Sequence, residues 1–365
     1  MDDTSESVVT DEDDPEAAPE PGRRPRWPWV VGTLVIALVA GLLFIPLPYI
    51  LYEPGSARPT GERVEITGHQ AFTSQGQILF LTVSEEKATA ATLARAWLDD
   101  SIDIEDEDVV NPPGGPDAYR AINQARMDES KFLATSLAFR VVGYPVNEVG
   151  AGAFVEQVLP GYPASKVLTQ GDVITSVDGT AVTTRDGLSA ALKGKPAGTE
   201  VLLGITNRHG TARTATVELG RNANDPSRGY LGILPTTYQR DLDLPFPIEI
   251  DSGAVTGPSA GLAFTLGVID RLTPGDLASG RKIAVTGTID EEGNVGPIGG
   301  IAQKAVALKD AGATVFIYPA DTPKADVKRV KGILGKSVEM HPVSTLGEAL
   351  KILAPDGLQP APPLG

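Results

Sequence analysis

Between Trp27 and Leu51 the chain runs for 25 residues, WPWVVGTLVIALVAGLLFIPLPYIL, without one charged side chain. The hydrocarbon core of a bilayer takes about 20 apolar residues of helix, so this run is long enough to span one. Arg23, Arg24 and Arg26 stand directly before it. Positive charge collects on the cytoplasmic side of such segments, which puts the N-terminus inside and everything after Tyr52 outside. A cleaved signal peptide is the other reading, with Gly55-Ser56-Ala57 as its cleavage site. The run is longer than the roughly 7–15 apolar residues usual in such a signal. The expectation is one uncleaved transmembrane helix at 27–51, anchoring the chain in the cell membrane.

The rest is ordinary globular material. At 365 residues and 41% hydrophobic content the chain has room for two or three domains with cores of their own. Its formal net charge is −16, with no basic stripe, which argues against nucleic acid as a partner. Residues 1–26 carry nine acidic side chains against three arginines and few large apolar groups. Such a segment cannot bury enough surface to order itself and reads as a disordered cytoplasmic tail. Residues 356–365 read as a flexible tail. The absence of cysteine excludes disulfides, thiol nucleophiles and cysteine-ligated zinc.

Two stretches carry candidate chemistry. VTGPSAGLAF places Ser259 at a Gly-Pro turn opening an apolar helix, and VTGTIDEEGNVGPIGGIAQKAVALKDAG places Lys304 on another helix 45 residues further on. A serine that attacks a peptide carbonyl needs a partner to take its proton. The three histidines, His69, His209 and His341, fall in no segment that reads as a site. A lysine is the base that remains, provided its amine is neutral near pH 7. Gly300, Ile301, Ala307 and Leu308 surround Lys304 on its helix, and burial among them lowers an amine pKa. Periodicity alone does not separate Lys304 from Lys309, and Ser259 alone reads equally well as a helix cap. GNVGPIGG lacks the Lys-Ser/Thr ending of a phosphate loop, and no other segment matches one. Nothing points to ATP, to a metal or to another cofactor.

Both stretches resemble the proteolytic domain of the Lon family of Ser-Lys peptidases, in which GPSAG carries the nucleophile and PIGGI-x-x-K the lysine. The resemblance implies that Ser259 is the nucleophile and Lys304 the base. It implies that Thr286, in VTGT, orients the lysine, and that the Gly257-Pro258 turn helps to form the oxyanion site. Thr256 and Thr288 depart from the acidic residues the family often has there. MDESKFLATSLA (127–138) resembles a helix in the first half of Lon proteolytic domains. GDVITSVDGTAV (171–182) resembles the PDZ domains associated with bacterial proteases; its Asp172 and Asp178 read as turn formers.

The order of these pieces sets the expected architecture. It is an α/β (α+β) Lon-type proteolytic domain in two parts, 53–139 and 223–355, with a PDZ domain inserted at 140–222 and one transmembrane helix before it. Three domains strung in series are the alternative. A PDZ domain binds a peptide as an added strand, and Gly152, Ala153, Phe154 and Val155 are the expected edge. The loop NEVGAG before them lacks the Gly-Leu-Gly-Phe pattern that captures a C-terminal carboxylate. The expected function is ATP-independent endopeptidase action on polypeptides outside the membrane, with the PDZ domain selecting or gating them. A catalytically idle PDZ scaffold at the cell surface is the alternative.

Overall fold

The computed structural model describes residues 27–111, 115–207, 209–221 and 228–364; the acidic tail at 1–26 lies outside them. Six strands form the larger sheet, in the order Glu339–Val343, Val315–Pro319, Lys282–Val285, Gln77–Thr89, Pro46–Pro59 and Asp103–Asp106. The first four run parallel, and Pro46–Pro59 pairs antiparallel with both of its neighbours. Every residue of Val315–Pro319 is buried, as a parallel strand covered on both faces requires.

Side chains alternate across this sheet. Ile78, Phe80, Ile283 and Val285 face the helices Gly115–Val142 and Gly261–Leu272. Leu79, Leu81 and Ala284 face Ile301–Asp310 and Lys324–Leu334. Gly261–Leu272 buries every residue except Arg271, so the helix that follows the Ser259 turn is fixed on all sides.

The uncharged run does not form one helix. Helix Trp27–Leu43 ends after 17 residues, and Pro46 opens a 14-residue strand. Pro46 and Pro48 cannot supply the amide donors of a continuing helix. Leu51, the end of the expected span, is wholly buried and paired with Glu86 on one side and Ile104 on the other. Among the described residues no helix is long and apolar enough to cross a membrane. Gly55-Ser56-Ala57 lies within the same strand, and Ser56 N donates to Thr82 Oγ1 at 2.9 Å. Cleavage there would cut the sheet.

A second sheet has its own core of Val155, Ile174, Leu203, Ile205 and neighbours. Its order is Ala212–Glu218, Glu200–Thr206, Val173–Val177, Ala153–Val158, Ile233–Thr237, with helix Arg185–Leu192 beside it. It therefore extends past residue 222, while helix Gly115–Val142 runs past 139 and stays with the larger sheet. The boundary moves because Ile233–Thr237 pairs antiparallel with Ala153–Val158, a partner distant in sequence. The chain enters and leaves this sheet through one narrow ribbon, Asn147–Val149 paired with Asp241–Asp243.

Ala153–Val158 is consequently an interior strand. Val155 N donates to Asp172 O, and Gly152 N to Thr183 O. The backbone of Gly152, Ala153, Phe154 and Val155 is not an open edge. The open edge on that side is Ile233–Thr237. Pro235 within it lacks an amide donor, which suits an edge strand and not a central one. The strand opens in Tyr230-Leu231-Gly232-Ile233, which keeps the Leu-Gly of the Gly-Leu-Gly-Phe pattern and an apolar residue after it.

Candidate active site

Gly257 opens the Ser259 turn at φ 89, a conformation other residues reach only with strain, and its N–H donates to Asn123 O at 3.0 Å. Pro258, Ser259 and Ala260 then make a single 3-10 turn leading into Gly261–Leu272. Neither this turn nor the following helix takes a side-chain cap, and the Ser259 hydroxyl bonds to no described residue. The bland role of a capping serine is not the one it fills here.

The carbonyls of the turn are held from two sides. Ser130, buried on helix Gly115–Val142, donates its hydroxyl to Pro258 O at 3.2 Å. Ser259 O accepts from Gly287 N at 2.9 Å and from Thr286 Oγ1 at 3.2 Å. Gly261 lets these segments close in: a Cβ there would sit 2.8 Å from Ser130 Oγ and 3.0 Å from Ile289 Cγ2. Thr286 is thus engaged with the main chain of Ser259 and makes no hydrogen bond to Lys304. The expected lysine-orienting contact is replaced by a brace on the serine.

Lys304 lies one turn into helix Ile301–Asp310 and is 2% exposed. Burial lowers its amine from the usual lysine value to about 7. The amine has no hydrogen-bond partner among the described residues. Lys309 is exposed and donates to Ile333 O at 2.8 Å, so the structure separates the two lysines that periodicity could not. Ser259 and Lys304 line one cleft of about 860 Å³, with Gly257, Pro258, Gly299 and Gly300 around them. The three histidines do not line it; His69 stacks on Phe246 and bonds the Tyr144 hydroxyl at 2.8 Å.

Farther along the cleft Tyr119 donates to Glu85 Oε1 at 2.9 Å, and burial, then the Glu85 charge, raise the phenol's pKa. Ser130 and Asn123 escaped the sequence reading. Ser130 lies inside the matched MDESKF helix, the one signal that pointed to it. Asn123 acts through its main chain and leaves no signal at all.

A free Ser259 hydroxyl and a buried Lys304 amine at one cleft beside a mixed sheet are the groups a serine hydrolase uses. The sequence profile of the Lon protease (S16) C-terminal proteolytic domain matches residues 169–355, and that of the PDZ domain residues 130–206. The chain belongs to the Lon proteolytic-domain family, and with it to the serine peptidases. It is 33% identical to a Lon protease of Chloroflexus aggregans over 144 residues, 39% of this chain and 16% of that protein. It is 35% identical to Lon protease 1 of Thermus thermophilus over 33% of this chain and 15% of that protein. The chain thus spans about a sixth of the length of these curated relatives. The PDZ domain of an SdrC-like protein from Listeria monocytogenes matches 23% of this chain and 87% of its own, at 24% identity and a TM-score of 0.22.

Proposed function

We propose that this chain is an endopeptidase that cleaves polypeptides with a Ser259–Lys304 dyad and without nucleotide. The observation that carries the reading is the buried Lys304 amine, unpartnered, opening on the cleft that holds the free Ser259 hydroxyl. With its pKa near 7, the amine is neutral often enough to take the Ser259 proton as the oxygen attacks a peptide carbonyl. The protonated lysine then gives that proton to the leaving amine, which breaks the C–N bond and leaves an acyl-serine. Water, deprotonated by the same lysine, releases the acid and restores the serine. The Ser259 N–H is the main-chain donor at hand at this turn for the tetrahedral oxyanion, since Pro258 has no N–H and Gly257 N is given to Asn123 O.

In this reading the second sheet presents polypeptide to the cleft. A peptide adds as a strand along Ile233–Thr237, beside helix Arg185–Leu192, and the preceding glycine-rich loop receives a terminal carboxylate. Helix Trp27–Leu43 leaves Trp27, Trp29, Leu34, Val35 and Ile36 exposed, and the arginines at 23, 24 and 26 precede it. This supports attachment to the cell membrane with both sheets outside. The dyad is tested by incubating the full chain in detergent with a mixed peptide library, beside Ser259→Ala. Cleavage by the wild type alone supports the reading; equal cleavage patterns would return the chain to a scaffold.

A further inference from the structure

Arg240 follows the edge strand at the neck between the two sheets, and its guanidinium makes three ion pairs. Nη1 donates to Glu129 Oε1 at 2.6 Å, and Nη2 donates to Glu291 Oε1 at 2.6 Å and lies 2.9 Å from Glu148 Oε2. Its plane also covers Phe132, with the central carbon 4.0 Å from the ring centroid. Its Nε is buried and has no partner among the described residues.

The positions of the three carboxylates carry the argument. Glu129 immediately precedes Ser130, which bonds Pro258 O. Glu291 sits at the tip of the hairpin whose strands are Thr288–Ile289 and Val295–Gly296. The root of that hairpin, Thr286 and Gly287, bonds Ser259 O. The two protease-side partners of Arg240 therefore belong to the two segments that grip the nucleophile turn. Glu148 belongs to the neck ribbon and accepts from the Thr237 hydroxyl at 2.6 Å. Thr237 ends the edge strand, and its Oγ1 also accepts from Arg185 N, the first residue of the flanking helix, at 3.1 Å. Arg185 itself reaches Glu291 at 3.5 Å.

We propose that Arg240 is a positioning residue that couples the peptide-accepting edge of the second sheet to the Ser259 turn. It binds Glu129 and Glu291 together and so sets the separation of the two braces. Through Glu148 and Thr237 it transmits any shift of the strand Ile233–Thr237 to them. This inference rests on the endopeptidase reading above. A charge on a hub of hydrogen-bonded carboxylates is well suited to this because fork-shaped donors fix direction as well as distance. Small displacements at a nucleophile are costly, up to about a hundredfold per ångström.

The test compares kcat and KM of the full chain on an internally quenched peptide for wild type, Arg240→Lys, Arg240→Ala, Thr237→Val and the Arg240→Ala/Thr237→Val pair. Thermal melts check that each variant is folded. Arg240→Ala should lower kcat by roughly tenfold or more with KM changed less than about threefold. Arg240→Lys should restore part of the loss, and Thr237→Val should lower kcat in the wild-type background but not in Arg240→Ala. Unchanged kcat in a folded Arg240→Ala, or independent effects of the two substitutions, overturns the coupling and leaves the dyad standing. Where a variant melts below the assay temperature, Glu291→Gln replaces it and must show the same kcat loss. Hydrolysis independent of Ser259 in the wild type sinks the endopeptidase reading itself, and this inference with it.

Discussion

Thr286 Oγ1 donates to the main-chain carbonyl of Ser259 at 3.2 Å, beside the Gly287 N–H that bonds the same oxygen at 2.9 Å. Two donors on one carbonyl fix the peptide plane that follows Ser259, and with it the direction of its side chain. The threonine is wholly buried, so its hydroxyl has no water to exchange with.

Thr286→Val keeps the shape and removes the donor. The Gly287 bond should hold the turn roughly in place while the serine loses its alignment. The expected result is a fall in kcat of about tenfold to a hundredfold with little change in KM, measured on a quenched peptide. A loss confined to KM would place the threonine's role in substrate binding instead.

Ser259→Ala and Lys304→Ala should each abolish hydrolysis while the melting curves keep their cooperative shape. Lys304→Arg should be equally inactive, because a guanidinium holds its proton at any working pH. An active arginine variant would rule out lysine as the general base.

The Lys304 amine, held near 7 by burial, gives two pH dependences. With Lys304 as the proposed base, activity needs the neutral amine, so kcat/KM should fall tenfold per pH unit well below 7 and level off above it. Stability follows from the same shift. The unfolded lysine, with its pKa near 10.4, binds more protons than the folded one between about pH 7 and 10.4, so folding stability should rise with pH across that window. Lys304→Met should melt above wild type at pH 7, and the gap should shrink toward pH 10. A gap independent of pH would mean that the amine is not neutral in the folded chain.

The strand Pro46–Pro59 makes a truncation series informative. A chain beginning at residue 45 keeps the whole strand and should fold and cleave in the absence of membrane or detergent. A chain beginning at residue 57 loses Leu51 and most of the pairing with Gln77–Thr89 and Asp103–Asp106. It should lack a cooperative melt and a Ser259-dependent activity. Circular dichroism melts of the two chains decide it.

What the sequence made legible was what it wrote locally. Ser259 and Lys304 stand in short glycine-bearing runs that resemble the two Lon motifs, and that resemblance picked both out by number where periodicity left Lys309 beside Lys304. The partner of Thr286 could not, because its contact with Ser259 O depends on how closely two distant segments approach. The edge strand was misplaced for a related reason. Ala153–Val158 and Ile233–Thr237 are both short and apolar, and alternation does not say which strand has a neighbour on each side. Pro235 carried that information. Pro46 and Pro48 likewise marked the end of the apolar helix, which the length of the uncharged run concealed. Arg240 left no local trace, since its three carboxylates come from separate parts of the chain.

The interrupted larger sheet has a consequence for synthesis. Strand Gln77–Thr89 can find its parallel neighbour only after Lys282–Val285 has been made, and by then the second sheet, whose pairings are all more local, has had time to fold. Contacts so far apart in sequence form slowly, and domains fold as units as they emerge. Lys304 and Ser259 thus come together among the last events of the chain's assembly. In the dyad reading, a nascent or broken copy carries both residues with no cleft to join them, and its maker is spared their chemistry.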